Sequence, residues 1–454
     1  MTAYARAYPR KRFFLDMFTR DISLEDCILD LIDNSIDALL RHRPNAVPLD
    51  ALEAIGAQPL PHDTLLPRID LSFSENRFTI EDNCGGIPLK EAKNQAFIFG
   101  KPADGNGEAS GTLGVYGIGL KRAIFKIGQH LAMRSATPDE GWQVDLDIVE
   151  WAKKDDTFDD WRIPITSAPA AKSAKSAGTK IVIDPLRDET KLRLQDGEFA
   201  GLLHAHVART YAWLLDRYVR IKINERPVEP VKIEIGTSAE VSYARDLFEL
   251  DGVHVELLAG LATRGSSGEW RQETAGWYVM CNLRIVLAAN KDEVGGWGGG
   301  ALPMFQPKYR GFIGLAFFRS SDGLKLPWTT TKRGLNRESA IYMFARNRMR
   351  GVARPIITFL DQMYRSGPEE SLEERRIATA VKPAPIANML SANQQSFTVL
   401  PPKQTRATKS VNVQYPALKA DLDLIRQHLR KADMSASAIG QYTLKYFLKQ
   451  EALK

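Results

Sequence analysis

Cysteine is scarce in this chain of 454 residues: Cys27, Cys84 and Cys281 stand far apart. An odd number without close pairing excludes a disulfide framework and a cysteine-based zinc site. Long apolar runs are also missing. Nothing approaches the ~20 apolar residues that a membrane span needs, and the basic start MTAYARAYPRKRFF leads into no signal-peptide core. No internal repeat is found, and no Gly-Lys-Ser/Thr ending of a P-loop. A charge excess is missing from most of the chain too. The net charge is +6, and from Lys403 to Lys454 there are ten Lys/Arg against four Asp/Glu, so upstream of that point the signs balance. The expectation is a cytoplasmic protein with no membrane partner. Its basic C-terminal tail suits DNA or an acidic effector protein, or is simply a solvated helix.

What is present is ample apolar content, 44% of residues, enough for two or three domains with sizeable cores. The organising stretch is SLEDCILDLIDNSIDALL from Ser23 to Leu40. Ser23 followed three residues later by Asp26 reads as a helix start. At the helical period Asp30, Asn34 and Asp37 fall within about a 60° arc, opposite Ile28, Leu31, Ile32, Ser35, Ile36 and Leu39. A mid-helix Asn one turn after an Asp suits a hard cation better than it suits the helix.

Three further segments follow in order: EDNCGGIP at Glu81 to Pro88, LGVYGIGLK at Leu113 to Lys121, and GTKIVI at Gly178 to Ile183. Asp82 closes an alternating hairpin, RIDLSFSENRFTIED. Glycines at 114, 117 and 119 let backbone approach an anion, with a helix starting near Gly119 to receive it. Together the four segments resemble the ordered boxes of the GHKL ATPases (gyrase, heat-shock chaperone, histidine kinase, MutL). GVYGIGLK is closest to the microrchidia branch and its bacterial relatives. There is no topoisomerase tyrosine motif, no nuclease metal cluster, and no phosphoacceptor box around His204 and His206.

The resemblance implies ATP and Mg²⁺ as cofactors. Asp30 takes the place of the catalytic carboxylate, usually Glu; one methylene shorter, it implies a bridging water or slow turnover. Asn34 takes the place of the magnesium ligand, Asp82 accepts from the adenine amino group, and Thr179 supports Asp82. Asp37, Gly86, Ile87 and Gly114, Val115, Tyr116, Gly117, Ile118, Gly119, Leu120 and Lys121 complete the nucleotide site. Cys84 replaces the first glycine of the second box. Phe13, Phe14, Met17 and Phe18, just before the first helix, either pack in the core or cross a dimer partner.

The implied fold class is α+β, with a Bergerat-type ATP-binding α/β sandwich over 1–190. An α+β transducer-like, ribosomal S5-like domain follows over 191–365. There VRIKINERPVEP, HVELLAGLAT, GWYVMCNLRIVLA and RGFIGLAFF read as strands, with a hairpin break at Asn282, and Glu338 to Tyr364 reads as helix. Within LPWTTTKRGLN, Lys332 stands where transducers carry the lysine that reaches the γ-phosphate. Residues 366–415, rich in Pro, Ala, Gln and Ser, read as a linker, and 416–454 as a helical basic tail. The implied activity is slow, Mg-dependent ATP hydrolysis by a nucleotide-gated homodimeric clamp in a DNA-related or defence process. A binding switch with negligible hydrolysis, or a chaperone or protein kinase using the same pocket, are the alternatives.

Overall fold

The first helix, α1 (Lys11–Arg20), puts Leu15 inward and leaves Phe13 and Met17, one turn apart, largely exposed. The computed structural model describes residues 10–42, 65–100, 113–114, 117–154, 158–215, 217–265, 268–364, 372–400, 413 and 415–451. The Pro-, Ala- and Leu-rich stretch from Arg43 to Pro67, where the sequence suggests a short helix around Leu49 to Ala57, lies largely outside them, as do most of the glycine-rich segment before Leu113, Val115 and Tyr116. Residues 1–400 form one compact unit and 401–454 a second.

Helix α2 (Leu24–His42) starts where its cap predicts, with Ser23 Oγ accepting from the Asp26 amide at 3.1 Å. It is not a two-faced surface helix. Nearly every side chain is buried, acidic ones included, because it lies between a sheet on one side and the second part of the unit on the other. Ile28, Leu31, Ile32, Ile36 and Leu39 pack with alternate residues of the first sheet. Each such side chain contributes roughly 1.5–3 kcal/mol when fully buried.

That sheet has the strand order β5-β4-β3-β6-β2-β1-β7-β8. Its members are β1 (Arg68–Phe73), β2 (Phe78–Asp82), β3 (His130–Ala136), β4 (Gly141–Asp147), β5 (Thr166–Ala168), β6 (Gly178–Ile183), β7 (Arg220–Ile223) and β8 (Arg226–Pro227). The predicted hairpin is β1–β2, with Leu71 opposite Ile80. Helix α3 (Gly119–Ile127) packs against α2. Strands β7 and β8, read from sequence as part of the second domain, belong here instead: Ile221 pairs with Ile69 in a parallel ladder. Two helices, Asp188–Gln195 and Phe199–Thr210, carry the chain back to β1, so the pairing is a crossover that strand pattern alone does not specify.

The second sheet runs β13-β12-β14-β11-β9-β15, with β10 also on β11. These are β9 (Ile235–Thr237), β10 (Ala244–Leu250), β11 (Val253–Ala262), β12 (Gly276–Cys281), β13 (Arg284–Asn290), β14 (Phe312–Arg319) and β15 (Lys382–Pro383). The long helix Ala340–Met363 covers it, burying Tyr342, Ala345, Met349, Ile356 and Leu360. The expected break at Asn282 is a two-residue turn, with Asn282 at φ 51° and Cys281 opposite Arg284.

The segment expected as a linker is instead built into this core up to Leu400. Lys382 pairs with Thr237, and Ile377, Val381, Ile386, Met389 and Phe397 are buried. Its Pro and Ala content disguised a short set of apolar anchors. The second unit contains the helices Lys419–Leu429 and Ala436–Gln450, the latter capped by Ser435. Among the described residues no helix is long and apolar enough to cross a membrane.

Candidate functional site

A cavity of about 210 Å³ opens between α2, the N-terminus of α3 and the central strands. It is lined by Asp30, Asn34, Asp37, Asp82, Ile87, Gly114, Gly117, Ile118, Gly119, Leu120, Lys121 and Thr179, and also by Thr330 and Lys332. Of the site residues expected from sequence, all that are described except Gly86 line it. Gly86 lies beside the cavity, at φ +76° with the Ala136 carbonyl 2.3 Å from where a Cβ would sit, so glycine alone fits there.

At the inner end Asp82 is half-buried and accepts from Ser35 Oγ at 2.8 Å, the Cys84 amide at 2.9 Å and the Thr179 amide at 3.3 Å. Burial raises its pKa above the ordinary carboxylate range despite these donors. Thr179 acts through its amide, while its hydroxyl meets Ser135 Oγ at 2.8 Å. Ser135 in turn receives the Ile87 amide at 2.8 Å, and the Ile87 carbonyl accepts from Trp142 Nε1 at 2.7 Å. Cys84, in place of the family's glycine, is fully buried, and Gly85 and Gly86 after it take the positive φ.

In the middle Asp37 accepts from the Leu113 and Gly114 amides, each at 2.6 Å, pinning the end of the glycine-rich segment to α2. A Cβ on Gly114 would fall 2.6 Å from that carboxylate. Burial raises the Asp37 pKa against the Leu113 N–H. Asn34 is half-buried, and its Nδ2 is shielded from solvent with no hydrogen-bond partner. An amide whose nitrogen has no partner among the described residues, with its oxygen toward the Gly114 side of the cavity, fits a hard cation. Among the described residues no cluster of three or more His, Cys, Asp or Glu could hold a metal, so most ligands of such a cation would be phosphate oxygens and water.

At the outer end the N-terminus of α3 presents amides that lack intrahelical acceptors. Lys121 is not a surface lysine. It is buried, donates to the Ala96 carbonyl at 3.0 Å, and burial lowers its pKa to about 8. Asp30 Oδ2 is held by Arg122 Nη2 at 2.5 Å, and Oδ1 is 3.9 Å from Lys332 Nζ.

Lys332 sits at φ +55° in a small loop closed by the Thr329 amide on the Gly334 carbonyl. Its ammonium donates to Asp33 Oδ2 at 2.7 Å. The same oxygen meets the Arg284 guanidinium, and Oδ1 accepts from Tyr211 Oη at 2.7 Å. Burial pushes Asp33 up, but Arg284 and Lys332 outweigh it and hold the carboxyl below its usual range. The next residue, Arg333, pairs with Asp26.

Sequence reasoning missed Tyr211, Arg284 and Arg333; Arg122, expected beside Lys121 as a phosphate contact, is found instead on Asp30. A signal was available on α2: Asp26, Asp30, Asp33 and Asp37 share about a 60° arc. Four carboxylates in one stripe of a core helix demand cations from elsewhere.

No curated protein matches the chain. Residues 22–179, which span α2, the second and third boxes and the start of β6, match the family model described as histidine kinase-, DNA gyrase B-, and HSP90-like ATPase; the match supports placing this segment in the GHKL superfamily and, with it, ATP binding.

Proposed function

We propose that this protein is a Mg²⁺-dependent, slow ATPase working as a nucleotide-gated dimeric clamp. The observation that carries the reading is Lys332: a loop of the second-sheet region delivers its ammonium to the cavity that Asp30, Asn34 and the start of α3 line. Asp82 would select adenine, Asn34 would hold the magnesium, and the α3 amides with Lys121 would receive phosphates. Magnesium, when bound, would neutralise phosphate charge. Exposed Phe13 and Met17 on α1 support association of two copies through that helix.

Lys332 would sense the γ-phosphate and couple it to the second region. With a non-hydrolysable ATP analogue and Mg²⁺ the protein compacts and its dimer fraction rises, whereas with ADP neither happens. Lys332→Ala removes the difference and keeps nucleotide binding. X-ray scattering and sedimentation measure this, and identical profiles with both nucleotides would overturn the clamp.

A second reading, a switch with negligible hydrolysis, is favoured by one observation: Arg122 occupies an oxygen of Asp30. Phosphate release over hours separates the two. For the output we propose a DNA-related or defence process, supported by the resemblance to microrchidia proteins and by the basic excess after Lys403. Duplex binding that weakens steeply with salt checks it, and salt-independent binding would count against it.

A further inference from the structure

We propose that Arg284 is a positioning residue that makes Lys332 releasable, holding the charge of Asp33 so that the lysine can leave for a triphosphate. The inference rests on the reading that ATP occupies the cavity.

Asp33 is fully buried and carries two cations on one oxygen, Lys332 Nζ at 2.7 Å and the Arg284 guanidinium. With Lys332 as its sole cation, departure of the lysine would strand a buried carboxylate, which is strongly disfavoured. Arg284 removes that penalty. It is 2% exposed, pairs with Asp33 and with no other carboxylate among the described residues, and does not line the cavity.

The two cations are also mounted differently. Arg284 opens β13 directly after the Asn282–Leu283 turn, which is fastened to β14 and its end: the Asn282 amide donates to the Phe318 carbonyl at 2.8 Å, and Asn282 Oδ1 accepts from the Ser320 amide at 3.1 Å. Lys332 stands on a small loop, on a long side chain, lines the cavity, and already has a looser second partner in Asp30 at 3.9 Å. One cation is fixed to Asp33 and the other can exchange between carboxylate and phosphate.

The test is the ratio of affinities for a non-hydrolysable ATP analogue and for ADP, both with Mg²⁺, measured by calorimetry on the full chain. Arg284→Gln leaves Asp33 to Lys332 alone, so the ratio falls by about tenfold, and Arg284→Lys, which keeps the charge, retains most of it. Adding Asp33→Asn to Arg284→Gln replaces the ion pair by two neutral amides. Lys332 is then unheld, and the ratio returns to the parent value or above.

Loss of a merely structural contact would not be repaired by a second substitution. An unchanged ratio in Arg284→Gln, or a double variant no better than the single, overturns the proposal. Should Arg284→Gln fail to fold, the double variant decides against Lys332→Ala: matching the parent supports the proposal, matching Lys332→Ala overturns it. A parent protein without triphosphate preference would bring down the clamp reading and this inference together. A preference lost in Lys332→Ala but intact in Arg284→Gln brings down this inference alone.

Discussion

Asp30 Oδ2 and Arg122 Nη2 are 2.5 Å apart, and neither side chain is more than 7% exposed. The aspartate stands where the resemblance leads one to expect a longer glutamate, and the arginine engages one of its two oxygens. Asp30→Asn keeps the size of the side chain but removes the charge that would polarise a water. ATP should still bind while turnover falls by a factor on the order of 10². The same change leaves Arg122 short of its buried partner and costs about 3–5 kcal/mol in chemical denaturation. Turnover at the parent rate would remove Asp30 from the chemistry; Asp33, already engaged by Arg284, Lys332 and Tyr211, would then be a poor replacement.

Asn34→Ala tests the cation. The Asn34 side-chain nitrogen has no partner among the described residues, so its loss leaves the fold intact, with an unchanged melting temperature. A contact to a charged group is worth about 1.5–3 kcal/mol, so Mg²⁺-dependent ATP affinity should fall by about 10- to 100-fold. Equal titration curves with Mg²⁺ for parent and variant would sink the assignment.

Lys121 gives a pH dependence with a definite sign. Its pKa is lowered from 10.5 in the unfolded chain to about 8 by burial. Between those values the unfolded chain holds the proton and the folded protein has released it, so this group makes stability rise with pH from about 8 to 10.5. Below pH 8 the folded protein carries a buried ammonium at a cost on the order of 3 kcal/mol. Lys121→Met should therefore be the more stable protein at pH 7, with the gap closing toward pH 10.5. Urea unfolding of both across that range measures it; parallel curves would show that Lys121 titrates normally.

Helix α2 was legible because its own residues declare it: Ser23 caps it, and Asp30, Asn34 and Asp37 repeat at its period. Asp82 was legible because an alternating hairpin runs straight into it. Arg284 was not, since it comes from a hairpin 251 residues beyond the carboxylate it meets, and no local pattern links the two. The packed segment up to Leu400 escaped for a different reason. Its anchors, Ile377 with Val381, Ile386 with Met389, and the single Phe397, come in pairs too short to establish a period and stand among Pro, Ala and Ser. Strands β7 and β8 were seen as strands, but which sheet they join depends on a parallel pairing that sequence periodicity does not encode.

That parallel pairing sets the smallest piece of the chain that could be prepared alone. A fragment cut at residue 190 would lack β7, baring the hydrogen-bonding edge of β1 from Arg68 to Leu71, and would lose Tyr211, which ties Asp33 to the body of the protein. An open edge of that kind recruits other chains. Cutting after β8 instead keeps the edge covered and the tyrosine in place, at the loss of Arg284 and Lys332 from Asp33, so the boundary suited to the first sheet lies near residue 230 rather than near 190.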